Sequence, residues 1–345
     1  MAEIQLRNVS KRFGNIVAVD DLSIDVKDGE FVVLLGPSGA GKTTTLRLIA
    51  GLERPDAGDV LIDGVVATSV HPSDRDVAFI FQQYSLYPHL TVFGNLAFPL
   101  RSPRRRSGEE QVRARVHAVA QMLHMEAKLD NMATHLSGGE MQRVAIGRAL
   151  VREPKVFLMD EPLSSLDAKL REELRTELKR LHRTIGATIL YVTHDQVEAT
   201  TLADRIGILE HGRLVQLGTP REVYGNPVSL SAAQRLGSPP INLLPPGLFD
   251  SVAVPSGTAT VAIRPEDVVL RDGEARDAPG SHHALDLKVL EYSPLRHLLI
   301  LERAGTAVVA TTMAERNFSP GQSVGVSLPT RSLLYFRADG RRIPT

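Results

Sequence analysis

The chain of 345 residues contains no cysteine. That excludes a disulfide scaffold, thiol chemistry and a cysteine zinc site together, and it fits a reducing, cytosolic compartment. Net charge is also missing, with 40 basic residues set against 40 acidic ones. No global field therefore draws the chain to nucleic acid or clamps it to a membrane surface. No stretch approaches the roughly 18 apolar residues that cross a bilayer. The N-terminus, with Glu3 among its first residues, lacks the apolar run of a signal peptide. A membrane role would have to come through a partner. There is no internal repeat and no low-complexity tract. At this length a single compact core gives way to two domains.

What is present is most specific at Gly36-Pro37-Ser38-Gly39-Ala40-Gly41-Lys42-Thr43-Thr44, which follows the buried-strand run Phe31–Leu35 and opens the helical pattern Thr45–Ala50. This is a P-loop (Walker A) in the strand-to-helix context the motif requires. Its glycines let successive backbone N–H groups turn inward as an anion nest, and the helix N-terminus adds partial positive charge. Lys42 can reach the outer phosphates, and the Thr43 hydroxyl is placed to ligate Mg²⁺. The chain is expected to bind a nucleoside triphosphate.

Around this motif the pattern is α/β. Ile4 and Leu6 alternate with polar neighbours, as do Leu22, Ile24 and Val26 before the Asp28-Gly29 turn, so residues 1–35 read as strands. From about Thr91 to His135 the period becomes helical, with Val112, Val116, Val119, Met122 and Leu123 assigned to one face. Two solid apolar runs follow, Val156–Met159 and Thr188–Val192, as expected of parallel strands covered on both faces. They end in Asp160-Glu161 and His194-Asp195, at the strand ends where open parallel sheets place their ligands. Two apolar segments flanking His211-Gly212 read as a hairpin. Between Gly225 and Gly247, Pro227, Pro239, Pro240, Pro245 and Pro246 mark a linker or irregular crossover. Beyond it, the short segments 261–263, 285–289, 298–301, 324–328 and 333–336 predict a small β-barrel or sandwich.

A P-loop alone allows a kinase, a GTPase or a motor. The choice rests on Leu136-Ser137-Gly138-Gly139-Glu140, which resembles the LSGGQ signature of ATP-binding cassette (ABC) proteins and precedes a Walker B run, Val156–Pro162. Gln82, Asp167 in Ser164-Ser165-Leu166-Asp167, and His194 in Val192-Thr193-His194-Asp195 complete that family's set in the family's order. The resemblance covers about residues 3–235. It implies a P-loop NTPase fold of the ABC ATPase kind, with antiparallel β and helical subdomains, followed by a small all-β domain. The boundaries expected are 1–235 for the nucleotide-binding domain, with its helical subdomain at about 84–150, and 236–345 for the second domain.

Asp160 would hold Mg²⁺ through water, with Thr43 and Gln82 as the other metal-site residues. Glu161 reads as the base polarising the attacking water, or as a carboxylate that only assists Mg²⁺ binding. His194 would contact the γ-phosphate and help position Glu161, the alternative being a structural histidine. Lys42 and Gln82 complete the catalytic set. Phe13 is placed like the aromatic on which this family stacks adenine, or is a plain core residue. By the resemblance, Ser137, Gly138, Gly139, Glu140 and Asp167 act in trans on ATP held by a second copy of the chain or a close paralogue. Glutamate at 140 replaces the usual glutamine and puts negative charge towards that phosphate, consistent with weaker or slower closure.

The segment Tyr84–Val92 resembles importer ATPases of the maltose and glycerol-phosphate type. Arg213–Pro220, Gly237-Ser238-Pro239, Ile263-Arg264-Pro265-Glu266 and 336–342 resemble that branch's regulatory domain of oligonucleotide-binding-like (OB-like) fold. Pro294-Leu295-Arg296 departs from it, and 271–283 is unpatterned. The resemblance implies an ATP- and Mg²⁺-dependent ATPase, peripheral at the cytoplasmic membrane face. Its partners would be two transmembrane permease subunits and, indirectly, an extracytoplasmic solute-binding protein, with no nucleic acid. The solute would be a sugar or glycerol-phosphate type, with polyamine, sulfate or ferric ion as alternatives. A soluble non-transport cassette is the rival from another class. The basic run Arg101–Arg106 reads as a solvated loop, and His282-His283 lacks enough ligands for a metal.

Overall fold

The computed structural model describes residues 2–102, 108–248, 254–271, 282–293, 295, 297–312 and 317–344. The basic residues 104–106, the turn residues Pro294 and Arg296, and the side chains of His282 and His283 lie outside them. The chain forms two compact units, Met1–Pro220 and Arg221–Thr345.

The first unit carries two sheets. Strands β1 (Ile4–Phe13), β2 (Ile16–Val26), β4 (Ala57–Ile62) and β5 (Val65–Val66) form an antiparallel sheet in the order β2-β1-β4-β5. Strands β3 (Phe31–Leu35), β6 (Val77–Ile80), β7 (Val156–Asp160), β8 (Thr188–Thr193), β9 (Arg205–Glu210) and β10 (Arg213–Gly218) form the second, in the order β10-β9-β3-β8-β7-β6. Every pair in it is parallel except β9 with β10. Every residue of β3, β7 and β8 is buried, which is why these strands read as unbroken apolar runs rather than alternating ones. The β9–β10 hairpin turns at His211 and Gly212, both at positive φ, the conformation that matches the twist of paired strands.

The described residues of this unit form six α-helices, α1 (Lys42–Ala50), α2 (Val92–Ala97), α3 (Glu109–Met122), α4 (Gly138–Leu150), α5 (Ala168–Ile185) and α6 (Gln196–Leu202), and α7 (Pro220–Gly225) opens the second unit. Val112, Val116, Val119 and Leu123 are buried as expected, but Met122 is 37% exposed. At about 100° per residue Leu123 falls near the Val112 stripe and Met122 well off it, so one residue, not two, closes the face.

The second unit is all-antiparallel in its β ladders. Strands β11 (Asn242–Leu244), β12 (Thr260–Ile263), β18 (Leu334–Phe336) and β19 (Arg342–Ile343) make one sheet, in the order β11-β12-β18-β19. Strands β13 (Val269–Leu270), β14 (His282–Ser293), β15 (Leu298–Arg303), β16 (Thr306–Thr311) and β17 (Ser323–Pro329) make the other, in the order β13-β17-β14-β15-β16. Val261, Leu287, Leu299, Leu301, Val308 and Val326 belong to its core. This is the small all-β, OB-like domain the resemblance implies.

This unit starts at Arg221 and includes the stretch 225–247, which is an irregular crossover, the second of the two forms its prolines predict. α8 (Leu230–Arg235) buries Ala232 and Ala233. The buried Arg264 guanidinium donates to the carbonyls of Tyr224 (2.9 Å), Ala233 (3.0 Å) and Leu236, and stacks 3.9 Å over the Tyr224 ring. Those bonds tie the proline-rich stretch to β12's end.

Candidate functional site

The P-loop wraps from the end of β3 to the start of α1. Gly41 caps α1 at φ +98, and a Cβ there would stand 2.3 Å from the Ala18 carbonyl. At Gly36 a Cβ would stand 2.2 Å from the Leu209 carbonyl, so the loop's close approach to β9 at one end and to β2 at the other requires glycine at both. Ser38 and Gly39 are exposed, Pro37 and Thr44 half-buried, and Ala40 is buried. The buried Lys42 ammonium donates to the carbonyls of Gly36 (2.9 Å) and Pro37 (3.0 Å), and lies 3.6 Å from Glu161 Oε1.

Strand β7, separated from β3 by β8, delivers the acidic pair. Asp160 Oδ1 accepts the Thr43 hydroxyl at 2.8 Å. Burial pushes the Asp160 carboxyl above its ordinary value, with the Thr43 bond acting against it and the Glu161 charge adding to it. Glu161 sits at φ +43, a left-handed conformation uncommon outside glycine, held by its N–H to the Val192 carbonyl (3.1 Å) and by the Ser164 hydroxyl on its own carbonyl (2.8 Å). Its Oε2 meets Nδ1 of His194, from the end of β8, at 3.0 Å. The His194 side chain is 61% exposed, which sets aside a core role for it.

Gln82 does not join the Thr43–Asp160 pair. Its amide donates to the Ser164 hydroxyl at 3.3 Å, and Tyr84 two residues on pairs with Ser165 at 3.0 Å. Asp167 caps α5 by accepting the Leu170 N–H. Ser137 caps α4 in a reciprocal box with Glu140, and Gly138 and Gly139 form the first turn. Phe13, at the tip of β1, is 43% exposed with the Lys11 ammonium 5.3 Å from its ring centre, so it is not a core residue.

Three residues outside the sequence expectations organise this region. Arg171 of α5 donates to the carbonyls of Leu163 (3.3 Å), Ser164 (3.4 Å) and Leu166 (2.9 Å) and pairs with Asp195 at 3.6 Å, tying the segment after Glu161 to the one carrying His194. Buried Glu198 accepts from Tyr191 (2.8 Å) and Thr193 (2.7 Å), and the Thr193 hydroxyl accepts the Asp195 N–H. Lys128 stands 3.2 Å from Glu140. Their partners Ser164, Leu166, Thr193 and Asp195 stood within recognisable motifs; Arg171, Glu198 and Lys128 carry no local signal.

Cleavage of a nucleotide's terminal phosphate is the chemistry this geometry serves, and a cassette-type ATPase is the class it defines. Comparison with known proteins agrees. A family model described as ABC transporter matches residues 19–164. An sn-glycerol-3-phosphate import ATP-binding protein of Brucella abortus is 42% identical over 99% of this chain and 99% of its own length. A trehalose/maltose import ATP-binding protein of Thermococcus litoralis is 53% identical over 71% of this chain and 67% of its own. Among solved structures, a dimeric ATP-binding cassette in a post-hydrolysis state with ADP and phosphate superposes with TM-score 0.56 and 34% identity, over 63% of this chain and 99% of that one. The chain belongs to the ABC transporter ATP-binding protein family, and it is an ATPase.

Proposed function

We propose that the chain energises an importer of sugars or glycerol-phosphate-type solutes, as two copies bound at the cytoplasmic membrane face beneath two permease subunits. The names of these two relatives support the solute class. Among the described residues no helix is long and apolar enough to cross a membrane, which is consistent with a separate membrane partner.

The observation that carries the coupling half of this reading is the surroundings of Gln82. Its amide reaches the segment next to Glu161 through Ser164, while the residues after it wall a cleft of about 760 Å³ lined by Tyr87, Leu90, Phe98, Pro99 and Arg148. Tyr87 and Phe98 stack at 4.3 Å, and Arg148 lies over Tyr87 at 5.5 Å while donating to the Ser85 carbonyl. An aromatic and aliphatic cleft of this kind suits a short helix of a permease loop.

In the chemical step, Glu161 orients and deprotonates water while His194 holds the carboxylate in place. Lys42 and the P-loop N–H groups bind the phosphates. The Thr43 hydroxyl and Asp160 carboxylate are hard oxygen donors 2.8 Å apart, a set that fits Mg²⁺. Bound there, Mg²⁺ would neutralise charge on the phosphate oxygens. Phe13 stacks adenine. Ser137, Gly138, Gly139 and Asp167 meet the nucleotide of the second copy, so turnover requires closure.

Pull-down of the tagged chain from detergent-solubilised membranes tests the reading. Recovery of two permeases is expected. Recovery of soluble partners alone, or co-sedimentation with ribosomes, overturns transport and leaves the ATPase chemistry standing.

A further inference from the structure

The signature segment of this chain holds a carboxylate where its family has an amide, and the structure shows what that carboxylate grips. Glu140 Oε2 accepts both the Ser137 N–H (2.9 Å) and the Ser137 hydroxyl (3.0 Å), while the Glu140 N–H points back to Ser137 Oγ at 3.4 Å. Its other oxygen, Oε1, meets the Lys128 ammonium at 3.2 Å. The Ser137 N–H, first, and the Lys128 charge hold the carboxyl below its usual range, so it is ionised at neutral pH. The single proton of the Ser137 hydroxyl is thereby committed to an anion on its own helix. A hydrogen bond to an ionised acceptor is roughly twice as strong as one to an amide oxygen.

We propose that Glu140 is an internal anion that competes, for the Ser137 hydroxyl, with the phosphate chain of the nucleotide held by a second copy, and that Lys128 neutralises it so closure can still occur. The proposal rests on the trans reading of the signature given above. The competition sets the ATP concentration at which two copies close. A Gln at 140 keeps the cap on α4, because its amide oxygen still accepts the Ser137 N–H, but as a neutral acceptor it holds the hydroxyl less strongly, and it removes the charge. Lys128 matters only while position 140 is ionised.

The test uses the full chain carrying Glu161→Gln, in which bound ATP persists, and measures ATP-dependent dimerisation by light scattering with ATP and Mg²⁺ as the probe. Glu140→Gln is expected to lower the ATP concentration for half-dimerisation about five- to tenfold. Lys128→Met is expected to raise it with Glu140 present and to leave it unchanged with Gln at 140. The gap between Glu and Gln should also narrow in high salt. Thermal melts and ATP binding by the monomer establish that each variant is folded. An unchanged midpoint in Glu140→Gln, or an equal Lys128→Met effect in both backgrounds, reduces Glu140 to a helix cap and overturns the proposal alone. ATP binding without an ATP-dependent dimer in any variant overturns the trans reading and the proposal with it.

Discussion

Nδ1 of His194 lies 3.0 Å from Oε2 of Glu161, and the opposite oxygen of the same carboxylate lies 3.6 Å from Lys42. The side chain proposed to act on water is thus held at both oxygens, by a group from the end of β8 and another from the start of α1. Glu161→Gln should retain ATP binding and lose turnover. His194→Ala should lose about 100-fold or more in kcat with a smaller change in KM, since it removes a positioning contact and not a phosphate cradle. Wild-type turnover in Glu161→Gln, read by phosphate release, would remove Glu161 from the base role.

The Thr43–Asp160 bond predicts how the metal requirement fails. Thr43→Ala should raise the Mg²⁺ concentration for half-maximal activity, and Asp160→Asn should raise it further by removing the charge. Nucleotide binding without Mg²⁺ should change less in both. Equal Mg²⁺ curves for all three proteins would place the metal elsewhere.

Arg171 lies on α5, outside every motif, yet binds three carbonyls between Leu163 and Leu166 and pairs with Asp195. Arg171→Met should cut kcat about tenfold or more while ATP affinity is kept, because a misplacement on the order of 1 Å costs rate before it costs binding. Lysine should restore little, having no fork to span several carbonyls. Single-turnover kinetics beside a binding isotherm would show the split.

What sequence could and could not announce follows from how far apart the partners lie. The strands β3, β7 and β8 were legible because burial on both faces forces an apolar run, and the P-loop because its spacing is local. β16 was not, since Thr306–Thr311 is Thr- and Ala-rich and carries little apolar signal, although it pairs with β15 across the tight Ala304-Gly305 turn. The prolines of 225–247 signalled irregular backbone correctly, but nothing local reveals that Arg264 binds that backbone into the second unit. Arg171 and Glu198 likewise acquire meaning only when α5 and α6 pack beside the strand ends. Even Glu140 was legible only in part: its charge could be read from sequence, its grip on Ser137 and Lys128 could not.

Glu198 supplies a pH prediction. Burial raises its carboxyl above the ordinary value, although the Thr193 and Tyr191 hydroxyls act against the shift. A raised acid contributes stability below its unfolded-state pKa and loses that contribution as pH rises through the folded-state value. The melting temperature of Glu198→Gln relative to wild type should therefore rise as pH goes from the ordinary carboxylate range towards neutrality. A gap that is flat or moves the other way would show the group is not desolvated in solution.

Arg264→Ala in the second unit should cost about 2–4 kcal/mol, since it leaves the carbonyls of Tyr224, Ala233 and Leu236 without their donor in a buried site. Protease cleavage between 221 and 240 should appear before the first unit melts. A variant as resistant as wild type would show that the apolar packing of α8 holds that segment alone.

Helix α4 begins at Ser137's cap and runs 13 residues to Leu150, about 20 Å at 1.5 Å per residue. Its far end carries Arg148, which grips the Ser85 carbonyl and faces the aromatic cleft. A single rod thus has a gripping hand at one end and the Glu140-guarded hydroxyl at the other. A few degrees of tilt imposed at Tyr87 would swing Ser137 by an ångström or more, enough to make or break a hydrogen bond without unfolding any part of the rod.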